Sequence, residues 1–449
     1  MIKKLLFLFF LSLAFTATTF CEDIFQLTFA VRTSVSTDTF PALLQNKNWN
    51  SKSAFVLNMT SNSNYGKSLT SGQRKGWTIF LQPNGAWGWN IGDSKERLDY
   101  LPSERQRIND GQWHKITCVY DLEKKTVRFY FDKKEVAIYN YKNIAIEAAQ
   151  IKEGLSLQPI PGIELKKLKL QDKWKPKFKL KSAPETLKVV SWNIWHGGRR
   201  NGIEEGLRQT IGTLRAQRAD LIFLQETYGS GPIIADSLGM YFFLISSNLS
   251  ILSKYPFSEL FTPWEDFRFG GAMLQLSRKQ KIGVFDVWLN YLPNTDKMMK
   301  EGAGYGDLLA AEMKLRGREI LNLFRSFKTL NLDCPLIFGG DFNSGSHLDW
   351  TLENSALHGG YFLPWPVSKA MYREGFVDAY HRAHPDYRQS PGHTWSPRFK
   401  DQLQYRIDYI YADQDNWKVL DAGVEGYENT NWSSDHALVW TVLRLGNQQ

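Results

Sequence analysis

Pro335-Leu336-Ile337-Phe338-Gly339-Gly340-Asp341-Phe342-Asn343 is an apolar run of strand length that stops at two glycines, a carboxylate and an amide. It reads as a buried strand, and the Gly-Gly punctuation as the point where it reaches a sheet edge. If extended geometry continues past the glycines, Asp341 and Asn343 project to the same side. There the carboxylate can deprotonate a water and the amide can hold an oxyanion. Further segments repeat the design. Strand 188–192 ends in Asn193, strand 221–225 ends at Glu226, and strand 284–289 runs into Asn290, Tyr291 and Asn294. Asp408 lies inside Tyr405-Arg-Ile-Asp-Tyr-Ile-Tyr411, and Ser434-Asp435-His436 precedes the strand 437–442. A buried charge without a partner is costly, so these groups must pair with one another or hold a metal.

Around these strands the texture is α/β. Residues 203–217 place Leu207, Ile211 and Leu214 on one helical face, and 307–328 reads as a second long helix. Residues 22–170 differ, with short alternating runs such as 25–31 and 126–131 and a turn at Pro83-Asn84-Gly85. That pattern predicts an all-β sandwich.

Ser191-Trp-Asn193, Leu224-Gln-Glu226, Gly340-Asp-Phe-Asn343, Arg406-Ile-Asp408-Tyr and Ser434-Asp-His436 occur in one order. With them the chain resembles the endonuclease/exonuclease/phosphatase superfamily, with its DNase I-like fold, over roughly residues 187–445. The resemblance implies a four-layer α/β/β/α sandwich that hydrolyses phosphate esters with Mg²⁺, or Mn²⁺ in its place. It makes Glu226 the principal metal ligand, with Asn193 beside it and Asp435 supporting a second metal or Asp341. Asp341 would activate the attacking water, and Asn343 would hold that water and the phosphoryl oxygen. His436, paired with Asp408, would stabilise the charge that develops on phosphorus. Two departures blur the subfamily. Tyr291-Leu-Pro-Asn294 resembles the exonuclease III branch, where Tyr291 would donate to the scissile phosphate. Trp195 stands where that branch has an aspartate, and the Pro-x-Trp-Cys-Asp-Arg signature of inositol 5-phosphatases is absent.

Asp110-Gly-Gln-Trp113-His114 resembles a strand-opening segment of laminin G-like, concanavalin-type jelly rolls. Such domains often bind glycans, although core packing is the favoured reading of any one of Trp87, Trp89 and Trp113. His196, Asn294 and His347 are weaker candidates for substrate contact. Arg268, Arg316 and Arg318 are candidate phosphate ligands, helix-surface placement being the alternative. His381, His384 and His393 read as solvated loop residues without zinc spacing. Asn58, Asn248 and Asn431 are glycosylation acceptors in a eukaryotic host.

The N-terminus has Lys3-Lys4, an apolar run from Leu5 to Phe15, then small polar residues. It reads as a secretory signal peptide over 1–21, so the expected location is secreted or periplasmic. Phe20 before Cys21 argues against a lipoprotein, and no later segment is long and apolar enough to span a membrane. Cys118 and Cys334 read as inert core thiols. The net charge of +9 is concentrated. Eight lysines against Asp172 give residues 166–181 a charge of +7, and Lys3 and Lys4 supply the rest. A neutral body does not favour a polyanion, so nucleic acid is the less favoured substrate. The expected domains are a β-sandwich over 22–170, a Lys-rich linker over 171–186 and a catalytic domain over 187–445. The readings left open are a secreted phosphodiesterase or phosphatase, a secreted nuclease, and a non-catalytic glycan-binding protein on a retained hydrolase fold.

Overall fold

The computed structural model describes residues 24–45, 56–57, 70–71, 75–175, 178, 180, 182–429 and 431–446. The expected signal peptide, Asn58 and the lysines at 177, 179 and 181 lie outside these residues. Among the described residues no helix is long and apolar enough to cross a membrane.

The N-terminal half is a jelly-roll-like β-sandwich. A five-stranded sheet built on Lys75–Leu81 and Trp87–Asp93 faces the antiparallel strands Ile163–Gln171, Ile24–Thr33, His114–Asp121, Thr126–Phe131 and Lys134–Asn140. Alternation drives the packing: Phe25, Leu27, Phe29 and Val31 of one strand all turn inward. Trp77, Trp87 and Trp89 are fully buried, which takes Trp87 and Trp89 out of contention as glycan contacts. Trp113 is half-buried, with Lys166 Nζ 3.4 Å from its ring centroid. Cys118 and Cys334 are free thiols.

The C-terminal half stacks two sheets between two helical layers, the DNase I-like arrangement. One sheet holds Tyr241–Leu244, Ser250–Ser253, Leu221–Gln225, Thr186–Asn193, Leu438–Leu445 and Trp417–Glu425 in that order. The other holds Phe257–Phe261, Phe269–Gln275, Lys281–Trp288, Leu336–Asp341, Asp408–Asp413 and Phe376–Asp378. Val189, Phe223, Ile251, Val284, Ile337 and Ile410 fill the space between the sheets. Outside, helix Ile203–Gln217 covers the first sheet through Leu207 and Leu214, and helix Arg318–Lys328 covers the second through Ile320, Leu323 and Phe324. The expected helix at 307–328 is present but interrupted: Met313–Gly317 forms a wider π turn. That turn swings Arg316 into the interior, where it pairs with Glu312 and donates to the carbonyls of Asn290 and Pro293.

The two halves share a sheet. Lys134–Asn140 pairs in parallel with Tyr241–Leu244, placing Ala137 opposite Phe242 and Tyr139 opposite Leu244. Eleven strands therefore run without a break from Ile163–Gln171 to Trp417–Glu425.

Candidate active site

The site lies where the ends of both C-terminal sheets meet. Asp341 closes its strand directly opposite Asp408, so register alone brings two buried carboxylates together. His436 reaches them from the segment before Leu438–Leu445. Its Nδ1 lies 2.9 Å from Asp408 Oδ2, and its Nε2 lies 3.9 Å from Asp341 Oδ2. Asn193, at the end of Thr186–Asn193, donates Nδ2 to Asp341 Oδ2 at 3.1 Å and to Glu226 Oε1 at 3.3 Å. One amide thus links the water-activating candidate to the metal-binding candidate. Asp435 completes the group, with Oδ1 4.0 Å from His436 Nε2.

Asn343 does not continue an extended strand. The chain turns there with φ +49°, and Asn343 folds back to donate its backbone N–H (2.9 Å) and Nδ2 (3.0 Å) to the Asp341 carboxylate. Left-handed backbone also occurs at Trp195, His196, Glu226 and Tyr228. Side-chain-bearing residues adopt this region at a cost, and its concentration around one site is typical of a functional constraint. The strain is held by local bonds. Glu226 N–H donates to Asn248 Oδ1 at 2.9 Å, His196 N–H to Glu226 Oε2 at 2.9 Å, and Trp195 N–H to Asn193 Oδ1 at 3.0 Å.

Burial governs the electrostatics. It pushes the Asp341 carboxyl up to about 7, with His436 opposing and Asp408 adding to the rise. The Asp435 carboxyl is likewise raised to about 7 by burial, and Glu226 contributes. Burial alone would lower His436, but Asp408 and Asp341 outweigh it and hold the imidazole well above its ordinary range. His196 is lowered, chiefly by burial and further by Arg200, against the pull of Glu226.

The donor set fits a hard divalent cation. Glu226 and Asp435 supply carboxylate oxygens and Asn193 an amide oxygen that already accepts the Trp195 N–H, and among the described residues buried Asp435 Oδ1 has no hydrogen-bond partner. Asp341, Asp408 and His436 also bring ligand atoms within 4.8 Å of one another. There, however, Asp408 and His436 Nδ1 already satisfy each other, so the group reads as a charge-paired triad rather than a cage.

Other sequence candidates fall outside the cluster. Tyr291 is 64 % exposed, its ring 6.5 Å from Trp288, and among the described residues no hydrogen bond joins it to the cluster. Asn294 caps helix Thr295–Lys300 by accepting from Lys297 N–H. His347 bonds Ser368 through Nδ1 and packs against Tyr372. His196 is near, with Nε2 3.6 Å from Glu226 Oε2. Arg316 is buried, Arg318 is exposed on a helix, and Arg268 pairs with Glu265 and Glu319. Asn248, read as a glycosylation acceptor, is fully buried. His393 is half-buried rather than fully solvated, and burial pushes it down to about 4 beside the Tyr387 hydroxyl. His381 sits in helix Ala379–Ala383, 3.8 Å from Asp349.

Three supports had no strong sequence signal. Arg406 is a buried hub, bidentate to Asp349 and 2.7 Å from Asp378, and it anchors the segment that carries Asp408. Thr394 Oγ1 accepts the backbone N–H groups of Ile407 and Asp408. Trp395 packs edge-on against His436 at 4.9 Å. The Arg-x-Asp spacing held a hint of the first; the other two come from a loop far away in sequence.

Residues 190–436 match the sequence profile of the Endonuclease/Exonuclease/phosphatase family, more than half of the chain. The protein belongs to that family, whose members are metal-using hydrolases of phosphoester bonds. Residues 33–150 match the Concanavalin A-like lectin/glucanases superfamily. An uncharacterized protein of Caenorhabditis elegans, F14F9.5, is 26% identical over 258 residues, which cover 51% of this chain and 79% of the relative. Among solved structures, a humanized D. rerio TDP2 aligns with 18% identity and a TM-score of 0.41, covering 58% of this chain and 100% of its own. An AP endonuclease from Archaeoglobus fulgidus aligns with 17% identity and a TM-score of 0.42, covering 57% and 98%.

Proposed function

We propose that the protein is a secreted, Mg²⁺-dependent phosphodiesterase or phosphatase that attacks phosphorus directly with water. The arrangement that supports this most is the Asp341–His436–Asp408 triad, joined through Asn193 to Glu226. Asp341, raised to about 7, is a base matched to neutral pH. Asn343 clamps both of its oxygens, so the carboxylate faces the water in one orientation. His436 stays cationic because Asp408 holds Nδ1, and it presents Nε2 to the phosphoryl oxygen as negative charge develops. Glu226, Asn193 and Asp435 would hold Mg²⁺, which when bound neutralises the phosphate and polarises it for attack. Nothing in this scheme needs a covalent intermediate. A glycan held by the β-sandwich would meet a surface other than the buried Trp87 and Trp89.

With Mg²⁺ the purified chain should release p-nitrophenol from bis-p-nitrophenyl phosphate. EDTA, Asp341→Ala and His436→Ala should each lower kcat by at least about a hundred-fold. Inertness of the wild type toward diesters, monoesters, DNA and phospholipids, with Mg²⁺ and with Mn²⁺, would leave the binding-protein reading instead.

A further inference from the structure

Trp288 ends its strand directly opposite Asp341. Neighbours in register share a face of the sheet, and both of these turn toward the facing sheet. Asp286, two residues before Trp288, receives Gln225; Trp288 packs against the core between the sheets; the Asp341 carboxylate accepts Asn193. The indole therefore stands one strand spacing, about 5 Å, from the candidate base. Its Nε1 is enclosed while the residue is only half-buried, so the part that reaches solvent is carbon. Two rings extend this surface. Phe267 meets Trp288 edge-on at 5.7 Å and Tyr291 lies tilted to it at 6.5 Å, and both are exposed.

Hydrogen bonds seat the three rings against both halves of the site. Leu289 N–H donates to Asp341 O, and Leu289 O accepts Asn343 Nδ2, each at 3.0 Å. Tyr291 follows by two residues, so its Cα lies within about 8 Å of that anchor. On the other side, Phe267 O accepts Asn248 Nδ2, and Asn248 Oδ1 holds the Glu226 N–H, each at 2.9 Å. Arg268, with Cζ 5.5 Å from the Trp288 ring centroid, pairs with Glu265 (3.2 Å) and Glu319 (3.4 Å), which balance its charge. The result is an uncharged aromatic surface that runs from the candidate base toward the candidate metal ligand.

An in-line displacement sends the leaving group away from the water that Asp341 activates. A surface beside Asp341 therefore meets the substituent that stays on phosphorus. We propose that Phe267, Trp288 and Tyr291 form a platform that stacks on a planar ring of nucleobase size carried by that substituent, an inference that rests on the hydrolytic reading above. Tyr291 then acts through its ring and not through its hydroxyl. A second phosphate is the weaker occupant, because Arg268 is already paired.

Thymidine 5′-(p-nitrophenyl phosphate) and methyl p-nitrophenyl phosphate release the same leaving group and differ in the group that stays. The full chain with Mg²⁺ should favour the thymidine ester by about ten-fold or more in kcat/KM, chiefly through KM. Tyr291→Leu and Phe267→Leu should each collapse that ratio toward unity. Tyr291→Phe should keep it, because the ring remains, and so should Tyr305→Leu, which removes an exposed ring stacked on Phe362. Loss of the ratio in Tyr291→Phe would assign the effect to the hydroxyl and overturn the platform. A wild-type ratio near one overturns the platform and leaves the hydrolase reading standing. Hexyl p-nitrophenyl phosphate cleaved as efficiently as the thymidine ester would show that the rings answer to apolar area alone, which overturns the planar occupant. If no ester is cleaved, the hydrolase reading fails and calorimetry decides the platform. Thymidine 5′-monophosphate should then bind about ten-fold tighter than methyl phosphate, a difference that Tyr291→Leu removes; equal or undetectable affinity overturns the platform.

Discussion

Asp286 is a carboxylic acid sealed between two sheets. It is fully buried on Lys281–Trp288, and Gln225, the residue before Glu226, donates to its Oδ1 at 2.6 Å. Among the described residues its Oδ2 has no hydrogen-bond partner, and burial holds its carboxyl well above the ordinary value of 3.8. The sign of the consequence follows from proton counting. Between its unfolded and folded values the native state binds one proton more, so stability is full below pH 3.8 and falls by about 1.4 kcal/mol per pH unit as pH rises. Asp286→Asn removes that slope. The melting temperature of the variant, relative to wild type, should climb steadily from pH 4 to pH 7; parallel curves would show that Asp286 is ionised in the fold. Asn248 is the second telling residue, since its Oδ1 holds the strained backbone of Glu226 and its Nδ2 bonds Phe267 O. Asn248→Ala should raise the Mg²⁺ concentration for half-maximal activity by about ten-fold or more, with a smaller loss at saturating metal. An unchanged metal titration would detach Asn248 from the site.

At the scale of the element, the Gly339-Gly340 pair has a different purpose from the one its sequence suggests. The glycines do not end the strand, which continues to Asp341. A Cβ at Gly339 would lie 2.2 Å from the Phe223 ring of the facing sheet, and one at Gly340 would lie 2.1 Å from Val287 O. They let two sheets and a neighbouring strand close tightly just before the site. Gly339→Ala should therefore cost about 1–3 kcal/mol in urea unfolding, and a loss under about 0.5 kcal/mol would mean that Phe223 swings away freely. The strands that deliver Asn193, Glu226 and Asp341 were legible because an apolar run ending in a polar residue is a local pattern, whereas Asp408, read inside its run, opens its strand. The interruption at Met313–Gly317 was not, because it depends on Arg316 finding Glu312 and two loop carbonyls inside the fold. Asn343 was read with the right residue in the wrong direction, since a single left-handed φ turned it back onto Asp341. Trp395 and Thr394 were invisible for a further reason: their partners His436 and Asp408 are distant in sequence, and neither loop residue belongs to a periodic pattern.

The whole molecule departs most from what its sequence implies. A composition change near residue 187 and a lysine-rich connector predict two modules joined by a tether, yet strand pairing makes them one body. Ile138 of the sandwich lies in the core between the catalytic sheets with Phe243 and Phe257, while Phe242, Leu244 and Met240 of the catalytic half complete the sandwich core. A buried carboxylate locks the junction. Asp236 Oδ2 accepts the backbone N–H groups of Ser103, Glu104 and Arg105 at 3.1, 2.6 and 2.8 Å, and Oδ1 accepts Gln106 Nε2 at 2.9 Å. Such charge-assisted bonds are strong, and deleting the acceptor leaves four donors without their partner. Asp236→Ala should thus cost about 3 kcal/mol or more and expose the chain near residues 103–106 to protease. The shared sheet has a second consequence, in calorimetry. With Ile138 in one core and Phe242 in the other, neither half can melt without opening the core of its neighbour, so the wild-type chain should unfold in a single cooperative transition. Two resolved transitions, with the lower one abolishing activity or sparing it, would show that the parallel pairing at Ala137–Tyr139 contributes little and that the halves are modules after all. One transition that Asp236→Ala splits into two would locate the coupling at that carboxylate.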